Sequence, residues 1–209
     1  TPASYCSGTA VDYLPTSGTP GTTFDWAHDV VTGLTTGANF GTDAPTETLV
    51  DTLNTPVAVA YVYTLTANGC SNIQTVTATI KPVLHLTSSL RDTVCSGTVF
   101  NYIPSFNVPT GTTFTWGYNY TAGSINPPIT GQTGNVNELQ GSIALVPIRI
   151  TYNFELTNDG CTYPENVELI VKPIPTLSSP LTISPEICSG DTVRYTALSG
   201  TPKTIFQWN

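Results

Sequence analysis

Basic residues are scarce: Lys and Arg total 6 among 209 residues, against 14 Asp and Glu, for a formal net charge of −8. A nucleic-acid surface needs Lys and Arg to neutralise phosphates, so the balance argues against that class of partner. The same deficit argues against a polybasic contact with anionic lipid. No run of 18 apolar residues occurs, so direct membrane insertion by a helix is not expected. Methionine is absent, and the chain does not open on a basic segment followed by an apolar one, as an export signal would. The expectation is a mature product or a fragment whose export signal, if any, lies outside it. With two histidines and no Cys-x-x-Cys pair, zinc is not expected. Strong helix formers are few, which sets aside α/β folds built on cofactor-binding units, and no cofactor is expected.

What the chain has in quantity is threonine, 38 residues, with 17 Gly, 17 Pro and 10 Tyr. Thr, Val and Tyr suit strands, and Gly and Pro suit turns, so the expected fold class is all-β. Self-comparison then divides the chain. CSGTAVDYLPTSGTPGTTFDW (6–26) returns as CSGTVFNYIPSFNVPTGTTFTW (95–116) and CSGDTVRYTALSGTPKTIFQW (188–208). PVAVAYVYTLTANGC, ending at Cys70, returns as PIRITYNFELTNDGC, ending at Cys161. Eleven positions after each of these cysteines stands a Lys-Pro pair, Lys81-Pro82 and Lys172-Pro173. The openings are spaced by 89 and then 93 residues, which marks a tandem array. The first repeat covers 1–81 with most of its first strand missing, the second 82–172, and 173–209 starts a third. The chain is expected to be a piece of a longer array.

Within a repeat the periodicity is two. Val57, Val59, Tyr61, Tyr63 and Leu65 alternate with smaller or polar residues, as do Ile148, Ile150, Tyr152, Phe154 and Leu156. Asn68-Gly69 and Asp159-Gly160 follow as hairpin turns, leading to a second strand with Val76, Ala78 and Ile80 in the first repeat. Earlier strands are expected at Val11–Leu14 and Phe24–Trp26, and at Phe100–Ile103 and Phe114–Trp116, with residues 83–90 as the first strand of the second repeat. Roughly seven strands in about 90 residues, with one Trp on an early central strand, describe an immunoglobulin-like sandwich. Trp26 and Trp116 are expected in its core. Short linkers at Pro82 and Pro173 suggest a semi-rigid rod whose first partners are neighbouring repeats of the same chain.

The combination of CSGT-x₃-Y-x-PTSGTPGTTF-x-W, YVYTLTANGC and a Lys-Pro exit resembles the PKD-like tandem repeats of Bacteroidetes giant surface adhesins, the SprB-type gliding-motility family. PKD-type domains generally carry a WDFGDG-like motif after the Trp. Here Trp26 is followed by Ala-His-Asp and Trp116 by Gly-Tyr-Asn, so the likeness is to a divergent branch. The resemblance implies an exported, multi-domain, extracellular cell-surface protein secreted by the type IX route. It does not imply a particular ligand; surface polysaccharide and the outer-membrane motility and secretion machinery are the candidate partners.

Five cysteines occupy fixed repeat positions: Cys6, Cys95 and Cys188 open repeats, and Cys70 and Cys161 follow the hairpin turns. The odd number follows if the partner of Cys188 lies beyond Asn209. The simplest pairing is within each repeat, Cys6–Cys70 and Cys95–Cys161. Against it, an immunoglobulin-like order puts the opening and hairpin cysteines at opposite ends of the sandwich. An eight-residue strand spans roughly 26 Å, and a disulfide needs Cα atoms within about 7 Å. A bond between repeats, Cys6 to Cys161, and free thiols are the alternatives.

Signals for catalysis are weak. His28 and His85 do not recur and sit in no nucleophile motif, so each is expected at a surface or sheet edge. Glu47 and Glu138 match across repeats and are expected to hold a loop by hydrogen bonding rather than to act on a glycosidic bond. No Asp-x-Asp-x-Asp-Gly calcium loop is present, which leaves open calcium at a domain junction. Asp51-Thr52-Leu53, Asp92-Thr93-Val94 and Asp191-Thr192-Val193 are the three Asp-Thr pairs of the chain, each followed by an aliphatic residue. They resemble the acceptor for O-glycosylation in exported Bacteroidetes proteins, making Thr52, Thr93 and Thr192 candidate sites; each pair also suits an Asx turn at a strand end. The sequence as a whole reads as a non-enzymatic structural segment that extends and presents a distal binding region. Its rivals are a glycan- or surface-binding module using Tyr118 and Tyr120, and an accessory stalk of a secreted hydrolase.

Overall fold

The structure, a computed structural model, describes residues 3–108, 110–180 and 188–209. All regular elements among them are strands. They are β1 Ala3–Cys6, β2 Thr23–His28, β3 Asn39–Thr42, β4 Val57–Ala67, β5 Cys70–Lys81, β6 Arg91–Cys95, β7 Thr98–Tyr102, β8 Thr113–Tyr118, β9 Ile129–Gln132, β10 Val136–Gln140, β11 Ile148–Asn158 and β12 Cys161–Lys172. Two compact units result: Thr1–His85 with Phe106–Thr113 and Leu156–Tyr163, and Leu86–Ser105 with Phe114–Glu155 and Pro164–Asn209. The tip of the second repeat's hairpin thus belongs to the first unit.

In unit 1 one sheet runs β1-β5-β4-β2-β3. The alternation read from the sequence governs its long strand: Val57, Val59, Tyr61 and Tyr63 are buried, while Ala58, Ala60 and Val62 face solvent. Asn68 and Gly69 form the turn at φ 51° and 76°, leaving Ala67 paired with Cys70. Both central φ values are positive, which is why Asn-Gly serves here. β1 runs parallel to β5, with Tyr5 opposite Ile80 and Cys6 opposite Lys81. Trp26 is 6% exposed and packs among Val11, Leu49, Val59, Tyr61 and Ile80. Its ring lies over Gly41, where a Cβ would come within 2.8 Å of the indole.

The second unit repeats this sheet as β6-β12-β11-β8-β9, with β6 parallel to β12 and Cys95 opposite Lys172. Over it lies a two-stranded layer, β7 paired antiparallel with β10. Phe100 and Tyr102 of that layer meet Tyr152 and Phe154, with ring centroids 5.2 and 5.7 Å apart. Trp116, also 6% exposed, donates from Nε1 to the carbonyl of Gly134 at 2.9 Å.

Three expectations need correction. Residues Val11–Leu14 form no strand; the second layer of unit 1 is reduced to a bridge between Ala10 and Thr48, with bonds from Gly8 N to Leu49 O and from Val11 N to Glu47 O, both 2.9 Å. Pro45 stands where Val136 begins β10, and a proline has no N–H for a ladder. Residues 83–90 are not the first strand of the second repeat either; β6 is. Leu84 and Leu86 are buried in alternation, yet the backbone there is held by single bonds, Asn107 N to His85 O at 3.2 Å and Thr87 N to Ser105 O at 2.8 Å. Lastly, His28 is not a surface histidine, being 4% exposed.

Replacing Trp116 by Ala is expected to cost about 3–5 kcal/mol, and Trp26 by Ala a similar amount. Phe40→Ala, on a side chain 82% exposed, should stay within about 0.5 kcal/mol. Denaturant unfolding of the three variants checks the ordering.

Candidate functional site

Each unit half-buries one glutamate against its long central strand. In unit 1, Tyr61 donates its hydroxyl proton to Glu47 Oε1 at 2.6 Å and Asn39 Nδ2 donates to Oε2 at 2.9 Å. His28 Nε2 lies 2.9 Å from the same carboxylate, while its Nδ1 lies 2.8 Å from the carbonyl of Asp29. In unit 2, Tyr152 donates to Glu138 Oε2 at 2.9 Å and accepts from Gln140 Nε2 at 2.8 Å. Tyr118 stands where His28 stands in the first repeat, and its ring is 4.9 Å from that of Tyr152. These carboxylates tie the second layer to the sheet, the loop-holding role read from their recurrence.

Their protonation differs in direction. Burial pushes Glu47 up, but bonds from Asn39, Tyr61 and His28 outweigh it, and its pKa falls below the ordinary 4.5. For Glu138 burial wins over the bond from Tyr152, and its pKa rises above 4.5. Burial and the adjacent carboxylate raise Tyr61 and Tyr152, so both stay donors at neutral pH. Glu47 therefore contributes stability that is full above the ordinary value and is lost as the pH falls through its lower folded value. Glu138 works the other way: its cost at neutral pH is relieved as the pH falls through its raised value toward 4.5. Carboxyl NMR titration is expected to place Glu47 below 4.5 and Glu138 above it.

The second constellation is covalent. Cys6 and Cys161 form a disulfide with Cα atoms 5.6 Å apart, closing 155 residues of sequence. Around it, Lys81 Nζ donates to the carbonyl of Asp159 at 2.6 Å and pairs with its carboxylate at 2.9 Å. Tyr163 donates its hydroxyl proton to the carbonyl of Ser7 at 3.0 Å. Leu84, Pro56 and Val108 line the hollow beside Cys161, which is 2% exposed. Cys70, Cys95 and Cys188 are free and exposed.

Within-repeat pairing, the simplest reading of the sequence, is overturned. Cys6 sits beside Lys81 at the end of β5, whereas Cys70 begins that strand eleven residues away, roughly 37 Å in a β conformation. The same separation holds between Cys95, opposite Lys172, and Cys161 at the start of β12.

Thr52, Thr93 and Thr192 are all exposed. The Asx-turn reading holds at Asp51, whose Oδ1 accepts from Leu53 N at 2.7 Å, while Asp191 Oδ2 accepts from Cys188 N at 2.9 Å. His85 is exposed. The proposed aromatic surface does not assemble: Tyr120 is 67% exposed but Tyr118 only 2%. Among the described residues no group of three His, Cys, Asp or Glu side chains is placed to hold a metal ion.

No protein-family model matches the sequence, and no curated protein matches it. Among solved structures, the chain is similar to protocadherin gammaB7 EC3-6 at 11% identity and TM-score 0.36, covering 95% of this chain and 59% of that one. It is similar to Drosophila N-cadherin EC1-3 at 13% identity and TM-score 0.29, covering 84% and 64%. Sidekick-1 immunoglobulin domains 1-4 align at 12% identity and TM-score 0.30, covering 85% and 50%. The chain thus spans about 59% of the length of the first of these. Likeness at this level says nothing of function.

In the isolated 209-residue chain, alkylation without reductant is expected to label Cys70, Cys95 and Cys188 and to spare Cys6 and Cys161. By the chain-entropy relation the bond is worth about 5 kcal/mol. Lys81→Ala should make it about threefold to tenfold easier to reduce in a glutathione buffer, the equivalent of one solvent-screened hydrogen bond of about 1 kcal/mol, since the Asp159 carboxylate is exposed.

Proposed function

We propose that the chain is a non-enzymatic structural segment of a long, exported cell-surface adhesin, one that extends and presents a distal binding region. The observation that carries this reading is the Cys6–Cys161 bond, which joins the opening cysteine of one repeat to the hairpin cysteine of the next. A tether of this kind keeps an unfolding repeat from being drawn out to full length, which suits a protein under load. Disulfides persist in oxidising compartments, which supports an extracellular location. The tandem period and the likeness to PKD-like Bacteroidetes surface repeats support type IX export and a role in gliding adhesion. Surface polysaccharide or the outer-membrane motility and secretion machinery are the partners this reading implies.

Pulling on the chain by its ends tests the load-bearing role. The loop closed by the two cysteines, 155 positions apart, should stay hidden until reductant is added and then release roughly 500 Å of contour length. Full extension without reductant would overturn it. Antibody labelling of intact cells of the source organism tests the location, and absence from the surface defeats the adhesin reading.

Thr52, Thr93 and Thr192 are the proposed glycan attachment points. Peptide mass spectrometry of protein from its own host should find hexose-containing additions on at least one. Unmodified peptides at all three would refute this.

A further inference from the structure

The free cysteine of the second unit occupies the same built setting as the bonded cysteine of the first. Cys6 faces Lys81 across a parallel pair, and Cys95 faces Lys172 in the same register. Ser7 N donates to Lys81 O at 3.1 Å, and Ser96 N to Lys172 O at 2.8 Å. Thr9 Oγ1 closes on the carbonyl of Cys6, and Thr98 Oγ1 on that of Cys95, both at 2.7 Å. Ser7 Oγ accepts from Asp51 N at 2.8 Å, and Ser96 Oγ from Ser142 N at 2.9 Å. What differs is occupancy. The edge of unit 1 carries the hairpin tip with Asp159, Cys161 and Tyr163. In unit 2 the Cys95 thiol and Lys172 are exposed.

The complementary half is present as well. The Asn68-Gly69-Cys70 tip has the backbone of the bonded tip: φ is 51° and 76° at Asn68 and Gly69, against 46° and 81° at Asp159 and Gly160. Its cysteine is exposed and free. A carbonyl stands at Asn68 where Lys81 finds that of Asp159, although the carboxylate is gone.

A third repeat begins where such a partner is needed. After the Lys172-Pro173 exit, Ser179 Oγ bonds Tyr195 OH at 2.7 Å, as Ser88 Oγ bonds Tyr102 OH at 2.6 Å. Ser178 N donates to Leu198 O as Thr87 N donates to Ser105 O, each at 2.8 Å. These two contacts of the second opening thus recur in the third, although residues 188–209 form no strand.

We propose that Cys95, Ser96 and Lys172 form a docking edge for the hairpin tip of the following repeat of the same polypeptide. A disulfide from Cys95 to that repeat's hairpin cysteine fastens it. The tip around Cys70 docks in the same way on a repeat that precedes it. Each repeat is then bonded forward through its opening cysteine and backward through its hairpin cysteine. This deepens the structural reading above and rests on the tandem array, not on adhesion.

Bond formation needs an oxidant, here a protein disulfide donor or, in vitro, glutathione disulfide. The Cys95 thiolate attacks the donor's disulfide and expels one thiolate. The hairpin cysteine, deprotonated, then displaces the second, so two protons and two electrons leave the pair and the donor is reduced to two thiols.

Mapping of the protein from its own source, alkylated before lysis and digested without reductant, tests the proposal. The Cys95 peptide should be joined to a Gly-Cys hairpin peptide of the following repeat, in protein that runs as a monomer on a non-reducing gel. Cys95 recovered as a free thiol, joined to another opening cysteine, or joined only in disulfide-linked oligomers would overturn it. A three-repeat chain, residues 1–208 followed by residues 117–172, gives a second reading. Two bonds are expected, Cys6–Cys161 and Cys95 to the added hairpin cysteine, with Lys172→Ala making the second about threefold or more easier to reduce. Formation of the first bond alone in the folded chain would count against the proposal. Loss of cell-surface location would sink the adhesin reading and leave this bond untouched.

Discussion

Much of this structure depends on the parallel pairing of a short opening strand with the far end of the last strand. β1 on β5 and β6 on β12 put each opening cysteine beside the exit lysine. The hairpin cysteine starts the same long strand eleven residues earlier, out of reach of any disulfide. One register thus forbids bonding within a repeat. It also presents the opening cysteine where the chain leaves for the next repeat, and the bond that does form takes that next repeat's hairpin.

The two repeats solve the same packing problem with different second layers. The second has a regular β7–β10 pair that stacks Phe100 and Tyr102 on the sheet. The first, with Pro45 in the way, makes do with Val11 and Leu49 set into the core from nearly irregular backbone. Each needs a polar tie between its layers, and each uses the hydroxyl of a central tyrosine on a half-buried glutamate. An unpaired buried carboxylate would cost several kcal/mol. In the first repeat His28 and Asn39 add bonds that keep Glu47 ionised. In the second, Tyr118 replaces the histidine and burial dominates.

The features legible in the sequence were those fixed by neighbours along the chain. Alternation along β4 and β11, the Asn-Gly and Asp-Gly turns, and the buried tryptophans all follow from period-two patterning and from positive φ at a two-residue turn. The pairing of Glu47 with Glu138 as loop anchors was visible in their recurrence, but not their partners. Tyr61 and Tyr152 looked only like core residues, and His28 like an edge residue, because a side chain's bonding across layers leaves no periodic trace.

By itself, then, the sequence determined the all-β class, the tandem period, the hairpins and the position of every cysteine in its repeat. Those are local or repetitive properties, set by side-chain preference and spacing. Tertiary structure alone decided which cysteines could meet, where regular pairing lapsed near Pro45 and after Pro82, and how each buried carboxylate was satisfied. Each of these turns on register between strands distant in sequence, and a shift of one residue there would turn every side chain to the opposite face.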